Sequence, residues 1–94
     1  MLGILYNMNM FRIWAKVLKE DHIEKQTVYE REERFTYSSF FRYLSDICTE
    51  LDVPTPVLLK PHVFAYAKFN HVNFTPRDFM EEVSFDKLVL ENIL

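Results

Sequence analysis

Glycine is nearly absent from this chain: Gly3 is the one glycine in 94 residues. Phosphate-cradling loops and dinucleotide fingerprints need several glycines where backbone must approach a ligand closely, so both are excluded. Cysteine is equally scarce. Cys48 stands alone, which rules out an internal disulfide and any zinc site built on clustered cysteines. Extended apolar runs are missing too. The apolar start Met1-Leu2-Gly3-Ile4-Leu5-Tyr6 is far short of the roughly 20 residues of a membrane span. It also lacks the basic n-region and longer apolar core of a signal peptide. A lone thiol without an export signal fits a reducing compartment, so the expectation is a cytoplasmic protein without a membrane anchor. Positive charge is in deficit: 11 Lys and Arg face 14 Asp and Glu, a formal net charge of −3. That sign disfavours a domain that grips phosphate backbones non-specifically.

What the chain does have is apolar substance. Hydrophobic residues make up 49% and charged residues 27%, a balance that folds into one small domain rather than staying disordered. Met8 and Met10 offer further starts, so residues 1–9 read as an N-terminal extension and residues 10–94 as a single domain. Residues 11–18 alternate, with Phe11, Ile13, Ala15 and Val17 opposite Arg12, Trp14, Lys16 and Leu18, the period of a strand. The polar break Lys19-Glu20-Asp21-His22 precedes a second alternating run. There Ile23, Lys25, Thr27 and Tyr29 stand opposite Glu24, Gln26, Val28 and Glu30. The two runs predict an antiparallel hairpin, although no Asn-Gly or Asp-Gly specifies its turn.

Next, Tyr37, Phe40, Phe41, Leu44, Ile47, Cys48 and Leu51 recur at steps of three and four, predicting an amphipathic helix. Thr36 or Ser38 can cap it, and Pro54 ends it near Asp52. Pro61 suits the first turn of a second helix, with Phe64 and Ala67 on its apolar side and Val63 and His71 as further members. Thr75-Pro76-Arg77-Asp78 is a helix start with capping-box spacing, flanked by Phe74 and Phe79, and it predicts one or two turns. Residues 84–94 return to alternation as a final strand. The expected fold is α+β: an antiparallel sheet of about three strands in β-β-α-α-β order, with two main helices packed on one face.

Certain residues carry a resemblance. Met10, Arg12, Ile13 and Trp14 open the domain. Lys19, Asp21 and Ile23 follow in the hairpin. The end reads Phe79-Met80-Glu81-Glu82-Val83, then Phe85, Asp86 and Leu88. In these motifs the chain resembles a group of short, uncharacterised bacterial proteins with a Met-Arg-Ile-Trp start and an acidic Phe-Met-Glu-Glu-Val-x-Phe-Asp-x-Leu end. It departs from them by inserting Phe11 between Met10 and Arg12. The resemblance covers about residues 10–94 and supports those domain limits. The group has no assigned activity, so it implies no site residue.

No catalytic constellation emerges. His22, His62 and His71 lack metal-ligand spacing. Asp78, Glu81, Glu82 and Asp86 have no calcium-loop pattern. Cys48 sits on an apolar stripe, where a thiol is a small buried hydrophobe rather than a nucleophile. The expectation is a chain with no catalytic residue, cofactor or metal. Aromatic residues, 16% of the chain, are the unusual feature. Trp14 shares a strand face with Arg12 and Lys16, and Tyr66 and Phe69 are not all absorbed by the second helix, so these five residues are the candidate binding residues. The face of Trp14 has three readings, in order of preference: cover by residues 1–9 or a helix, a protein partner, or single-stranded nucleic acid stacked on aromatics. The function expected is a non-catalytic interaction or structural module, self-associating as a homodimer or docking another protein. The alternative is a nucleic-acid-binding accessory protein.

Overall fold

In the computed structural model, residues 10–93 are described; the N-terminal extension expected at residues 1–9 lies outside the described residues. Two long strands come first, β1 (Phe11–Lys19) and β2 (His22–Arg31). Two helices follow, α1 (Phe40–Leu51) and α2 (Lys60–Phe69). Strands β3 (His71–Phe74) and β4 (Lys87–Asn92) end the chain. Every pairing is antiparallel, in the order β2-β1-β4-β3. The α+β class with two helices holds, but the sheet has four strands rather than about three.

The hairpin forms as expected, with Lys19 paired to His22 across a two-residue turn. Glu20 and Asp21 both take positive φ, 51° and 65°. Positive φ at both central residues is the conformation that matches strand twist, and glycine or asparagine adopts it at least cost. Here Asp86 compensates, accepting the Glu20 backbone N–H at 2.8 Å through Oδ2. The alternation of β2 is broken once. Val17 pairs with Lys25 but Leu18 pairs with Ile23, leaving Glu24 as a bulge residue. Ile23 therefore shares a face with Leu18 and not, as alternation alone implies, with Tyr29.

The core-facing side of the sheet is built from Phe11, Ile13, Ala15 and Val17 of β1, Leu88 and Leu90 of β4, and Val72 and Phe74 of β3, all buried. Against it α1 buries Phe40, Tyr43, Leu44, Ile47, Cys48 and Leu51. Tyr37 and Phe41, expected on that stripe, are exposed; Tyr43 takes the inward position instead. Neither Thr36 nor Ser38 caps through its side chain. The helix does stop at Asp52, whose backbone is left-handed with φ 56°. Lys25 of β2 donates to the carbonyls of Leu51 and Asp52 at 3.0 and 3.4 Å, putting a cation where the helix dipole is negative.

Polar bonds tie α1 to the edge strand. Tyr29 donates to Asp46, Thr27 donates to Glu50 at 3.0 Å, and the Arg31 guanidinium stands 4.0 and 3.8 Å from the same two carboxylates.

Helix α2 is shorter and turned differently from expectation. Asn70, left-handed with φ 61°, ends it, so His71 begins a strand instead of extending the helix. Its one buried residue is Tyr66, with Ala65 partly buried against the core, whereas Phe64 is 67% exposed and Ala67 faces solvent. The capping box at Thr75 and Asp78 is present, with Asp78 accepting the Thr75 N–H at 2.8 Å. The helix it starts is only a 3-10 turn over Pro76–Asp78.

Much of the aromatic surplus is spent inside. Phe11, Phe35, Tyr43, Phe40 and Tyr66 form a chain of ring contacts with centroids 4.7 to 6.1 Å apart. Such offset and edge-on pairs add about 0.5–1.5 kcal/mol each beyond area burial.

Candidate interaction face of the sheet

Antiparallel partners share a face, so the register defines what the second side of the sheet presents. Trp14 lies between Val28 of β2 and Glu91 of β4, and His71 lies beyond Glu91. One row along, Lys16 lies between Gln26 and Val89, with Asn73 beyond. Arg12 faces Glu30, and Leu18 lies between Ile23 and Lys87. The three expected residues Arg12, Trp14 and Lys16 are thus together on one face, as alternate positions of a central strand must be. Both helices pack on the other face.

Trp14 is held in place. Its indole N–H donates to Gln26 Oε1 at 3.0 Å, and Lys16 Nζ sits 3.9 Å from the ring centroid. Lys16 also bonds Glu91 Oε1 at 3.2 Å and is itself largely buried. Its charge is therefore committed to a carboxylate and a ring. Around this centre the face is apolar in patches: Val28 is 51% and Ile23 45% exposed, while Val89 is buried on this side and stands outside the main core. Arg12, Lys16 and Lys87 stand against Glu30 and Glu91, so the face mixes both signs with a small positive surplus.

The other two expected binding residues are not brought together. Tyr66 is 3% exposed and belongs to the core, stacked on Phe35 at 5.9 Å. Phe69 is 58% exposed, with the Lys68 ammonium 5.4 Å from its ring. Sequence reasoning missed Gln26, Val28 and Glu91 as members of the face, because register decides their company.

The remaining reactive side chains are absorbed by structure. His62 Nδ1 accepts the Leu59 N–H at 3.0 Å, which leaves its proton on Nε2, 3.5 Å from Asp78 Oδ1. Both ring nitrogens are engaged in holding the start of α2. Burial pushes the Cys48 thiol up to about 11, with a hydrogen bond to Thr55 pulling the other way, so the thiol stays protonated and poorly nucleophilic. Among the described residues no group of three or more His, Cys, Asp or Glu is placed to hold a metal ion. Nor is any helix long and apolar enough to cross a membrane. No known family, curated protein or solved structure matches the chain.

Proposed function

We propose that this protein is a non-catalytic interaction module that binds a protein through the open face of its sheet, a second copy of the chain being the partner. The observation that supports this reading is the Trp14 centre: an indole held by Gln26, beside exposed Val28 and on the same face as exposed Ile23, where neither described helix packs. A pre-ordered aromatic anchor loses little entropy on binding and is the commonest kind of interface hot spot. A two-fold interface requires a self-complementary patch, and apolar residues among charges of both signs meet that requirement. Nucleic acid is the weaker reading, since Lys16 is already neutralised by Glu91.

Size sets the strength. Four strands about 4.8 Å apart, the central β1 nine residues long at about 3.3 Å each, bound the face within roughly 19 by 30 Å, and β4 and β3 are shorter. About 500 Å² per partner is the low end for a specific interface, so the dimer should be weak and concentration-dependent. Light scattering across micromolar to millimolar concentrations should show mass rising from 11.4 kDa toward twice that. Emission from Trp14, the sole tryptophan, should shift to the blue in step. A constant monomer mass with unchanging emission would refute self-association. Saturable, salt-sensitive quenching by single-stranded DNA would favour the nucleic-acid alternative instead.

A further inference from the structure

The backbone of β2 has an open side. In β1 the even-numbered residues turn their peptide groups toward β4: the Arg12 carbonyl accepts the Ile93 N–H at 3.0 Å, and the Leu18 carbonyl accepts the Asp86 N–H at 2.8 Å. The ladder to β2 therefore runs through Phe11, Ile13, Ala15 and Val17, whose partners are Arg31, Tyr29, Thr27 and Lys25. Gln26, Val28 and Glu30 alternate with those partners, so their own N–H and C=O groups point outward from the sheet. The Arg31 guanidinium reaches the Glu30 carbonyl at 2.7 Å and leaves that oxygen a second lone pair. No other described residue bonds these backbone groups.

Exposed edges are commonly guarded by proline, lysine or inward charge. From Lys25 to Arg31 there is no proline, and Lys25 is drawn away to the carbonyls of Leu51 and Asp52 at the end of α1. The same stretch is regular, because the bulge at Glu24 falls just before it. Its midpoint is Val28.

We propose that two copies of the chain join along this edge, β2 antiparallel to β2 about a two-fold axis at Val28, fusing their four-stranded sheets into one. In that register Val28 meets its symmetry mate, and Gln26 and Glu30 meet each other twice, so every outward N–H and carbonyl finds a partner. The side chains agree with it. The Trp14 indole takes Gln26 Oε1 at 3.0 Å, which leaves the Gln26 amide N–H groups to donate. The Glu30 carboxylate, bonded to no described residue, stands opposite to accept. On the helix side Lys25 falls opposite Arg31, and Asp46 and Glu50 supply an equal number of carboxylates, 4.0 and 3.8 Å from the Arg31 guanidinium. The edge is a separate surface from the Trp14 face and pairs whether or not that face does. It also enlarges that face: Val28 lies beside Trp14, so the joined sheet doubles an area that is small for a specific contact in one copy.

Amide hydrogen exchange and sedimentation, measured on the full chain from micromolar to millimolar concentration, test this. The mass rises toward that of a dimer while the amides of Gln26, Val28 and Glu30 exchange about tenfold more slowly at the upper end. Gln26→Glu keeps the acceptor for Trp14 but sets like charges opposite each other twice, and weakens the dimer about tenfold. Adding Glu30→Gln restores the amide–carboxylate pair with its sense reversed and recovers the affinity. Concentration-independent exchange, unchanged affinity in Gln26→Glu, or no recovery in the double variant would each overturn the proposal. So would slowed exchange at constant monomer mass, which assigns the edge to residues 1–9 of the same chain. Trp14 emission keeps the two interfaces apart. A blue shift with unprotected edge amides means that the face pairs and this proposal fails, whereas protected amides with constant emission mean that the edge pairs and the face does not.

Discussion

Removing one oxygen atom, in Tyr66→Phe, should make the protein more stable. An unsatisfied buried hydroxyl costs about 1–3 kcal/mol, and the Tyr66 hydroxyl is buried without a partner. The ring contacts with Phe35 and Phe40, at 5.9 and 5.1 Å, survive the substitution. The small void left by the oxygen takes back part of the gain, for a net stabilisation of about 1 kcal/mol. For a chain of 94 residues that is a rise in Tm of about 4–8 °C. Tyr29→Phe and Tyr43→Phe remove real hydrogen bonds, to Asp46 and from the Thr36 N–H, and each should cost about 1–2 kcal/mol. Thermal and urea unfolding followed by circular dichroism decide the matter, with the urea slope unchanged in all three variants. The decisive feature is the opposite sign at Tyr66. If Tyr66→Phe destabilises the chain as the other two do, its hydroxyl has a partner and this reasoning collapses.

Two further outcomes can be checked on the same instruments. Replacing the hairpin turn Glu20-Asp21 by Asn-Gly should stabilise the fold by about 1 kcal/mol, because both positions already hold positive φ and the Asp86 contact is to a backbone N–H; a lower urea midpoint would contradict that turn geometry. Burial, reinforced by the Asp46 hydrogen bond, pushes the Tyr29 hydroxyl up to about 12 from 10. Tyr29 therefore contributes its stability in full below pH 10 and loses it as pH rises toward 12, because the unfolded chain ionises first. Unfolding measured between pH 9 and 12 should show that decline, reduced in Tyr29→Phe; an identical pH slope in the two proteins would refute it.

Strand alternation made β1 legible, and with it the shared face of Arg12, Trp14 and Lys16. Proline chemistry made the end of α1 legible, since Pro54 excludes helical backbone at Val53. Strand β3 was not legible. Its four residues, His71–Phe74, are too few to show a period, and no glycine or proline announces the end of α2. Asn70 does that work by adopting φ 61°, which asparagine tolerates better than most residues. The phase of α2 was hidden for a related reason. Aromatics lie on both of its sides, so periodicity could not choose Tyr66 over Phe64 as the inward residue. The Glu24 bulge likewise moved Ile23 to the open face, where alternation alone had it on the side of Tyr29.

Composition and local periodicity determined the class of the protein: an α+β fold with a hairpin and an amphipathic helix, and without the glycine or cysteine that phosphate loops and thiolate metal sites require. Those properties follow from residue chemistry within a few positions along the chain. Tertiary pairing decided everything about the surfaces. It placed β4 beside β1, so that Glu91 neutralises Lys16 beneath the Trp14 ring. It also gathered Phe35, Tyr66, Asn70 and Asn92 around one cavity. These groups are up to 57 positions apart in sequence, from Phe35 to Asn92, and only the packing of α2 and β4 against the same sheet makes them neighbours.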